Sequence, residues 1–210
     1  MHEVNLLHSD DWMLVLDKPA GLLCVPGRGG DKQDCLSARA QRQFADALIV
    51  HRLDMATSGL VLMARGPAMQ RALSMAFAER RVEKRYVAVV AGILEQDSGE
   101  IVLPLGADWP NRPRQVVDHA NGKESRTLWH VLSRDVPGQR TRLELEPITG
   151  RSHQLRVHLN AIGHPILGDP LYGPAAARDA TPRLLLNASA LALVHPASSE
   201  RVSFVSAPPF

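Results

Sequence analysis

The chain has 210 residues, 45% of them hydrophobic and 22% charged, the balance of an ordinary globular protein able to bury its own core. No apolar run approaches the roughly 18 residues of a membrane-spanning helix, and the first residues, MHEVNLLHSDDW, carry no secretion signal, so a cytoplasmic protein without a membrane partner is expected. A net charge of +2 is too mild to announce a nucleic-acid partner alone, but 20 of the 24 basic residues are arginine, the side chain that grips phosphate in a two-pronged way. Aromatic residues, at 4%, are too few for a broad base-stacking platform, and Cys24 and Cys35 lack the spacing of a disulfide framework or a zinc site.

In chain order, Trp12 to Leu16 predicts a short apolar strand ended by the Pro19–Gly21 turn. The glycines of VPGRGGDKQ have neither dinucleotide-fingerprint nor phosphate-loop spacing, so residues 27–34 are expected to be a mobile surface loop before a polar helix. Leu60 to Ala64 predicts a buried strand. Met69, Leu73, Ala76 and Phe77 then recur at helical spacing behind Pro67, predicting an amphipathic helix that ends in Arg80, Arg81, Lys84 and Arg85. A basic helix end complements the helix dipole and is also a candidate for phosphate contact. YVAVVAGIL predicts a strand opening on Tyr86.

The middle of the chain alternates short strands with Asn-Gly and Pro turns, which predicts antiparallel ribbons, and DWPNRPRQ reads as an extended loop carrying Arg112 and Arg114. TRLELEP alternates as a strand should. In GRSHQLRVHLNAIGHP the spacing predicts a helix with Leu155, Leu159 and Ile162 on one face and His153, Arg156 and Asn160 on another, ended by Gly163 and Pro165. The tail supplies at least two more strands. No repeat or long linker divides the chain, so one α+β domain over 1–210, built on a mainly antiparallel sheet flanked by helices, is expected.

The common catalytic devices are missing. There is no Gly-x-Ser-x-Gly elbow and no His-Glu-x-x-His helix, and His153 and His158, five apart on a helix, make a poor metal pair. No metal and no cofactor are expected. HRLD, residues 51–54, is the best address for carboxylate chemistry: in an extended segment Arg52 and Asp54 point to one side and His51 and Leu53 to the other. An arginine so placed would favour the ionised carboxylate, but a plain strand-end ion pair, which is common, is the simpler account of the local spacing.

HRLDMATSGLVLMA resembles the signature of the RluA family of pseudouridine synthases. DKPAGLL, EKRYVAVVAG and PITGRSHQLRVHLNAIGHPILGD resemble the family's other motifs in the same order, so the likeness spans almost the whole chain. ADWPNRPRQ is similar to a stretch of the family's short, dual-specificity members, with Ala107 where that stretch has a cysteine. The resemblance implies a catalytic domain without an N-terminal S4 domain, acting by base flipping on one uridine of 23S rRNA and one in a tRNA anticodon stem-loop.

It further implies that Asp54 is the catalytic carboxylate, that Tyr86 packs against the base, that Arg156 pairs with Asp54, and that Arg52 extrudes the nucleotide. Two routes stay open for Asp54, addition at C6 of the base or action at C1′ of the sugar. Arg80, Arg81, Lys84, Arg85, Arg112 and Arg114 become candidates for RNA phosphate contacts, and His51, His153 and Gln154 for supporting roles. The same chemistry on a different RNA, a non-catalytic RNA-binding or ribosome-assembly factor of the same fold, and a hydrolase releasing uracil are the competing readings. With no heptad pattern, a monomer is the default.

Overall fold

The computed structural model describes residues 4–210. In chain order its elements are β1 (Asn5–Ser9), β2 (Met13–Lys18), α1 (Leu36–Gln43), β3 (Ala47–Ile49), β4 (Ser58–Arg65), α2 (Gly66–Ala78), β5 (Glu83–Ala91), β6 (Ser98–Val102), β7 (Leu105–Ala107), β8 (Gln115–Val117), β9 (Arg126–Asp135), β10 (Arg140–Pro147), α3 (Gln154–Ala161), α4 (Ala175–Arg178), β11 (Leu186–Val194) and β12 (Arg201–Val205). The chain divides into two compact units, one holding residues up to Lys84 with Asn187–Pro209, the other Arg85–Leu186 with Phe210.

In the first unit β2 pairs antiparallel with β1 and β4, β3 lies antiparallel on β4, and β12 on β11. β4 also pairs with β11 in parallel, Ser58 and Gly59 opposite Asn187 and Ala188. Consecutive residues Met13 to Leu16 and Leu60 to Ala64 are all buried, which is why both strands read as unbroken apolar runs. Gly59 has φ 108°, and a Cβ there would stand 2.3 Å from the Ala188 carbonyl oxygen, so only glycine allows this approach. Leu73 and Ala76 of α2 enter the core with Met69 and Phe77 packed against it, on the face the spacing predicts. Cys24 and Cys35 are buried free thiols.

In the second unit β5, β10, β9 and β6 run antiparallel in that order. Thr141, Leu143, Leu145 and Pro147 of β10 face inward and alternate with less buried residues. β7 and β8 form a separate two-stranded hairpin.

Four expectations are corrected. The basic run does not extend the helix: α2 ends at Ala78, Arg80 and Arg81 follow it in a turn, and Lys84 and Arg85 already belong to β5, which opens before Tyr86. The strand predicted at Trp12 starts at Met13 and runs on to Lys18, leaving Trp12 exposed. Residues 108–114 form a compact turn rather than an extended loop, because backbone bonds from Asn111 to Asp108, Arg114 to Asn111 and Asp108 to Arg114 fold them back. Finally, α3 does not set an apolar face against a polar one. Every residue from Gln154 to Leu159 is buried, the polar ones among them satisfied by internal hydrogen bonds, while Ile162 lies beyond the helix and is 37% exposed.

Candidate active site

The segment leading into β4 holds the HRLD residues with the inward and outward alternation of an extended chain: Leu53 is buried, Arg52 exposed, and Asp54 half-buried. His51 faces inward, its ring stacked on Phe77 at 4.3 Å, and its Nε2 accepts the Leu62 N–H at 2.8 Å. An imidazole nitrogen that accepts cannot carry a proton, so His51 is neutral with its hydrogen on Nδ1. Burial, with the Lys84 charge second, pushes its pKa down to about 3. The Leu53 N–H donates to Cys24 Sγ at 3.2 Å.

Asp54 opens a turn in which its carbonyl accepts the Thr57 N–H at 3.2 Å. The next carbonyl, that of Met55, accepts the Gly21 N–H at 2.8 Å and the Lys18 ammonium at 3.1 Å. Lys18 is fully buried and also donates to the carbonyls of Pro19 at 2.9 Å and Leu22 at 2.8 Å. One charged group thus ties the 18–22 turn to the turn that bears Asp54, and a buried ammonium bound by carbonyls is oriented rather than stranded. On the far side of the turn, Ser58 Oγ donates to Asn187 Oδ1 at 2.6 Å, fixing the first residue of β4.

The second unit organises the other residues singled out by the sequence. Arg156 and Asp169 are 3% and 1% exposed and form a two-pronged pair, Nε to Oδ2 at 2.8 Å and Nη2 to Oδ1 at 2.6 Å. Asp169 also accepts the N–H groups of Leu171 at 2.9 Å and Tyr172 at 3.2 Å. Tyr172 stacks near the guanidinium, 5.0 Å from ring centroid to Cζ, and its hydroxyl bonds His153 Nδ1 at 2.7 Å while accepting the Gln115 N–H at 2.8 Å. His153 is the N-cap residue of α3 with φ 54°, in the left-handed region that histidine enters more readily than most side chains. Gln154 bonds Thr149, Thr127 and the Arg126 carbonyl, and His158 bonds Thr127 and the Leu103 carbonyl. This network pins the start of α3 and with it the direction of Arg156. Tyr86 is half-buried in β5, opposite Leu145.

The basic candidates fall into distinct settings. Arg81 pairs with Glu79 at 2.7 Å, and Arg85 pairs closely with Glu146, so both already hold a carboxylate. Arg80 is exposed in the turn after α2, at φ 60°. Arg112 lies over the Trp109 ring and Arg114 near Tyr172. Sequence reasoning assigned nothing to Lys18, Asp169 or Tyr172. Lys18 and Asp169 stood inside the quoted motifs DKPAGLL and PITGRSHQLRVHLNAIGHPILGD, which was the one signal available. Among the described residues no group of three or more His, Cys, Asp or Glu side chains converges on a metal position, and no helix is long and apolar enough to cross a membrane.

Residues 12–161 match the family model described as RNA pseudouridylate synthase, and the chain belongs to that family of RNA-modifying isomerases. It is most of the way along its length similar to the dual-specificity RNA pseudouridine synthases RluA. Identity is 48% over 206 residues with that of Pasteurella multocida, covering 98% of this chain and 93% of the relative, and 47% over 199 residues with that of Escherichia coli K12, covering 95% and 90%. Among solved structures, human RNA pseudouridylate synthase domain containing 1 superposes with a TM-score of 0.83 at 28% identity, covering 99% of this chain and 84% of that one. The mainly antiparallel α+β architecture is that of the family.

Proposed function

We propose that this RNA pseudouridine synthase has dual specificity, acting on 23S rRNA and on a tRNA anticodon stem-loop, with Asp54 as its catalytic carboxylate and Tyr86 and Arg156 serving the same reaction. What carries the substrate reading is the similarity, over more than nine-tenths of the chain, to relatives that are dual-specificity enzymes. What supports the residue reading is the effort the fold spends on these side chains: a buried lysine and a glycine N–H brace the turn bearing Asp54, and a buried carboxylate aligns Arg156.

Uridine isomerisation breaks the N1–C1′ bond, turns the base over, and joins C5 to C1′; the hydrogen leaving C5 is matched by one gained at N1, so no atom enters or departs. The task therefore asks for a carboxylate positioned at the base and sugar, a flat floor for the detached base, and exclusion of water. Asp54 supplies the first and Tyr86 the second. Arg156, already neutralised along one edge by Asp169, contributes oriented positive charge without leaving a buried guanidinium uncompensated. The target uridine has to leave its stack, at a cost of a few kcal/mol, and exposed Arg52, two residues before Asp54, is suited to occupying the space it vacates. Arg80, Lys84, Arg112 and Arg114 serve as phosphate contacts, and Arg81 and Arg85 do so where RNA phosphate replaces their carboxylate partners. The protein works as a cytoplasmic monomer.

The test is pseudouridine formation by the parent and by Asp54→Asn on an anticodon stem-loop and on a 23S rRNA fragment, followed by ultracentrifugation for the oligomeric state. Conversion of both RNAs by the parent and of neither by the variant, with the variant still binding RNA, is the expected result. Conversion of a single RNA removes the dual specificity, and an active Asp54→Asn removes Asp54 from its role.

A further inference from the structure

Trp109 stands at the tip of the turn joining β7 to β8 and is 69% exposed, well above the 43% of Trp12. Leaving most of an indole in water forgoes a burial worth about 2 kcal/mol or more, so its setting calls for a reason. Arg112 lies over one face of the ring, its Cζ 3.3 Å from the centroid. With that face covered, so large an exposure leaves the other open. The turn is held in shape from within, Asn111 Nδ2 donating to both carboxylate oxygens of Asp108 at 3.0 Å.

Its base is tied to the Arg156 cluster. Arg114 lies 5.5 Å from the Tyr172 ring, and the Tyr172 hydroxyl takes the N–H of Gln115, the first residue of β8. The same tyrosine touches Arg156 and His153. One buried phenol therefore fixes the distance between an outward-facing aromatic plate and the arginine assigned to the reaction.

We propose that the Trp109–Arg112 stack is a docking plate for an unpaired RNA base flanking the target uridine, and that Tyr172 sets its spacing from Arg156. This rests on the pseudouridine synthase reading and extends it to recognition. A plate of this kind fits an RNA base for two reasons: every base has a face that stacks on an indole, and the adjoining guanidinium attracts the phosphate that comes with it. Apolar protein partners gain nothing from the second feature. Because stacking tolerates any base, one plate also serves two RNAs of different sequence, provided each splays a nucleotide at the same distance from its uridine.

The experiment compares the parent with Trp109→Ala, Trp109→Phe and Tyr172→Phe in two readouts, pseudouridine kinetics and quenching of tryptophan fluorescence by an anticodon stem-loop or a 23S rRNA fragment. Trp109→Ala is expected to raise KM about tenfold on both RNAs with kcat changed less than twofold, and Trp109→Phe to restore most of the loss. RNA should quench the parent's fluorescence, and Trp109→Phe should abolish most of that quenching. RNAs with single abasic positions then locate the base: one abasic site should cost the parent about tenfold and Trp109→Ala nothing further. Tyr172→Phe, which keeps the ring but frees Gln115, should raise KM in the same direction. Unchanged KM in Trp109→Ala, or an abasic scan whose losses add to that of the variant at every position, overturns the docking plate while leaving the enzyme intact. Quenching at Trp109 without pseudouridine in either RNA overturns the dual-RNA substrate reading and retains the plate. Neither quenching nor conversion overturns both.

Discussion

At the scale of single residues, this protein buries charge where it needs direction. Lys18 and the Arg156–Asp169 pair are withdrawn from water, and each is fully occupied by acceptors or donors. Removing one partner of such a pair costs more than the pair contributes, because the other is left charged and unmatched. Asp169→Asn is thus expected to lower unfolding free energy by about 3 kcal/mol in urea titrations and to reduce kcat by redirecting Arg156. Lys18→Met leaves the Pro19 and Leu22 carbonyls without their donor and the Met55 carbonyl with the Gly21 N–H alone; it should destabilise by about 2 kcal/mol, with activity falling further than stability alone explains because the Asp54 turn loses its brace.

His51 gives a pH dependence of definite sign. Its folded pKa, about 3, lies below the ordinary 6.5, so its contribution is complete above about pH 6.5 and is lost as pH falls toward 3, when the unfolded state takes up a proton that the folded state refuses. Buried His158, also lowered by burial, acts in the same direction. Urea unfolding at pH 7, 6, 5 and 4 should show stability dropping by as much as about 1.4 kcal/mol per pH unit for each such histidine. His51→Phe should be weaker throughout yet less steep across that range.

At the scale of elements, α2 and α3 end in the same way but with different residues. After α3, Gly163 takes φ 85°, its N–H reaches the Asn160 carbonyl, and the His164 N–H reaches that of Leu159. After α2, Arg80 takes φ 60°, its N–H reaches Phe77, and the Arg81 N–H reaches Ala76. These are two copies of the left-handed helix stop, for which glycine is preferred. An arginine in that place costs about 1 kcal/mol, consistent with a side chain kept for another purpose. Arg80→Gly is expected to raise the melting temperature by a few degrees and to weaken RNA binding; Arg80→Ala should weaken binding equally without the thermal gain, and Gly163→Ala should lower the melting temperature. The same pair of helices shows what sequence could and could not reveal. Apolar spacing located both helices, and Gly163 marked the end of α3, whereas α2 carried no glycine at its stop and the basic run was read into the helix. In α3, periodicity took Arg156 and His153 for a polar face, because spacing does not distinguish a polar group facing water from one matched inside by Asp169 or Tyr172. Those partners lie 13 and 19 residues away, joined to the helix only through the fold. Lys18 was hidden for the same reason: its most distant acceptor, Met55, is 37 residues on.

At the scale of the whole molecule, a net charge of +2 means that RNA is not drawn to the protein as a uniformly basic body. Attraction has to come from particular side chains, and several arginines are already paired, with Glu79, Glu146, Glu100 and Asp135 among their partners. Each phosphate neutralised on a single strand contributes roughly 0.7 to the slope of log affinity against log salt, and base stacking contributes almost nothing to it. Binding of an anticodon stem-loop, followed by filter binding between 50 and 300 mM KCl, is accordingly expected to give a shallow slope of roughly −2 to −4, set by Arg52, Arg80, Arg112 and Arg114. Arg112→Ala should reduce that slope by about 0.7. Trp109→Ala should lower affinity at every salt concentration and leave the slope unchanged, since it removes a plate and no charge. A slope much steeper than this range in the parent would mean that the carboxylate-paired arginines exchange their partners for phosphate on binding. Arg85→Gln, which costs little slope if Glu146 keeps the guanidinium, would then reduce it as much as Arg112→Ala does.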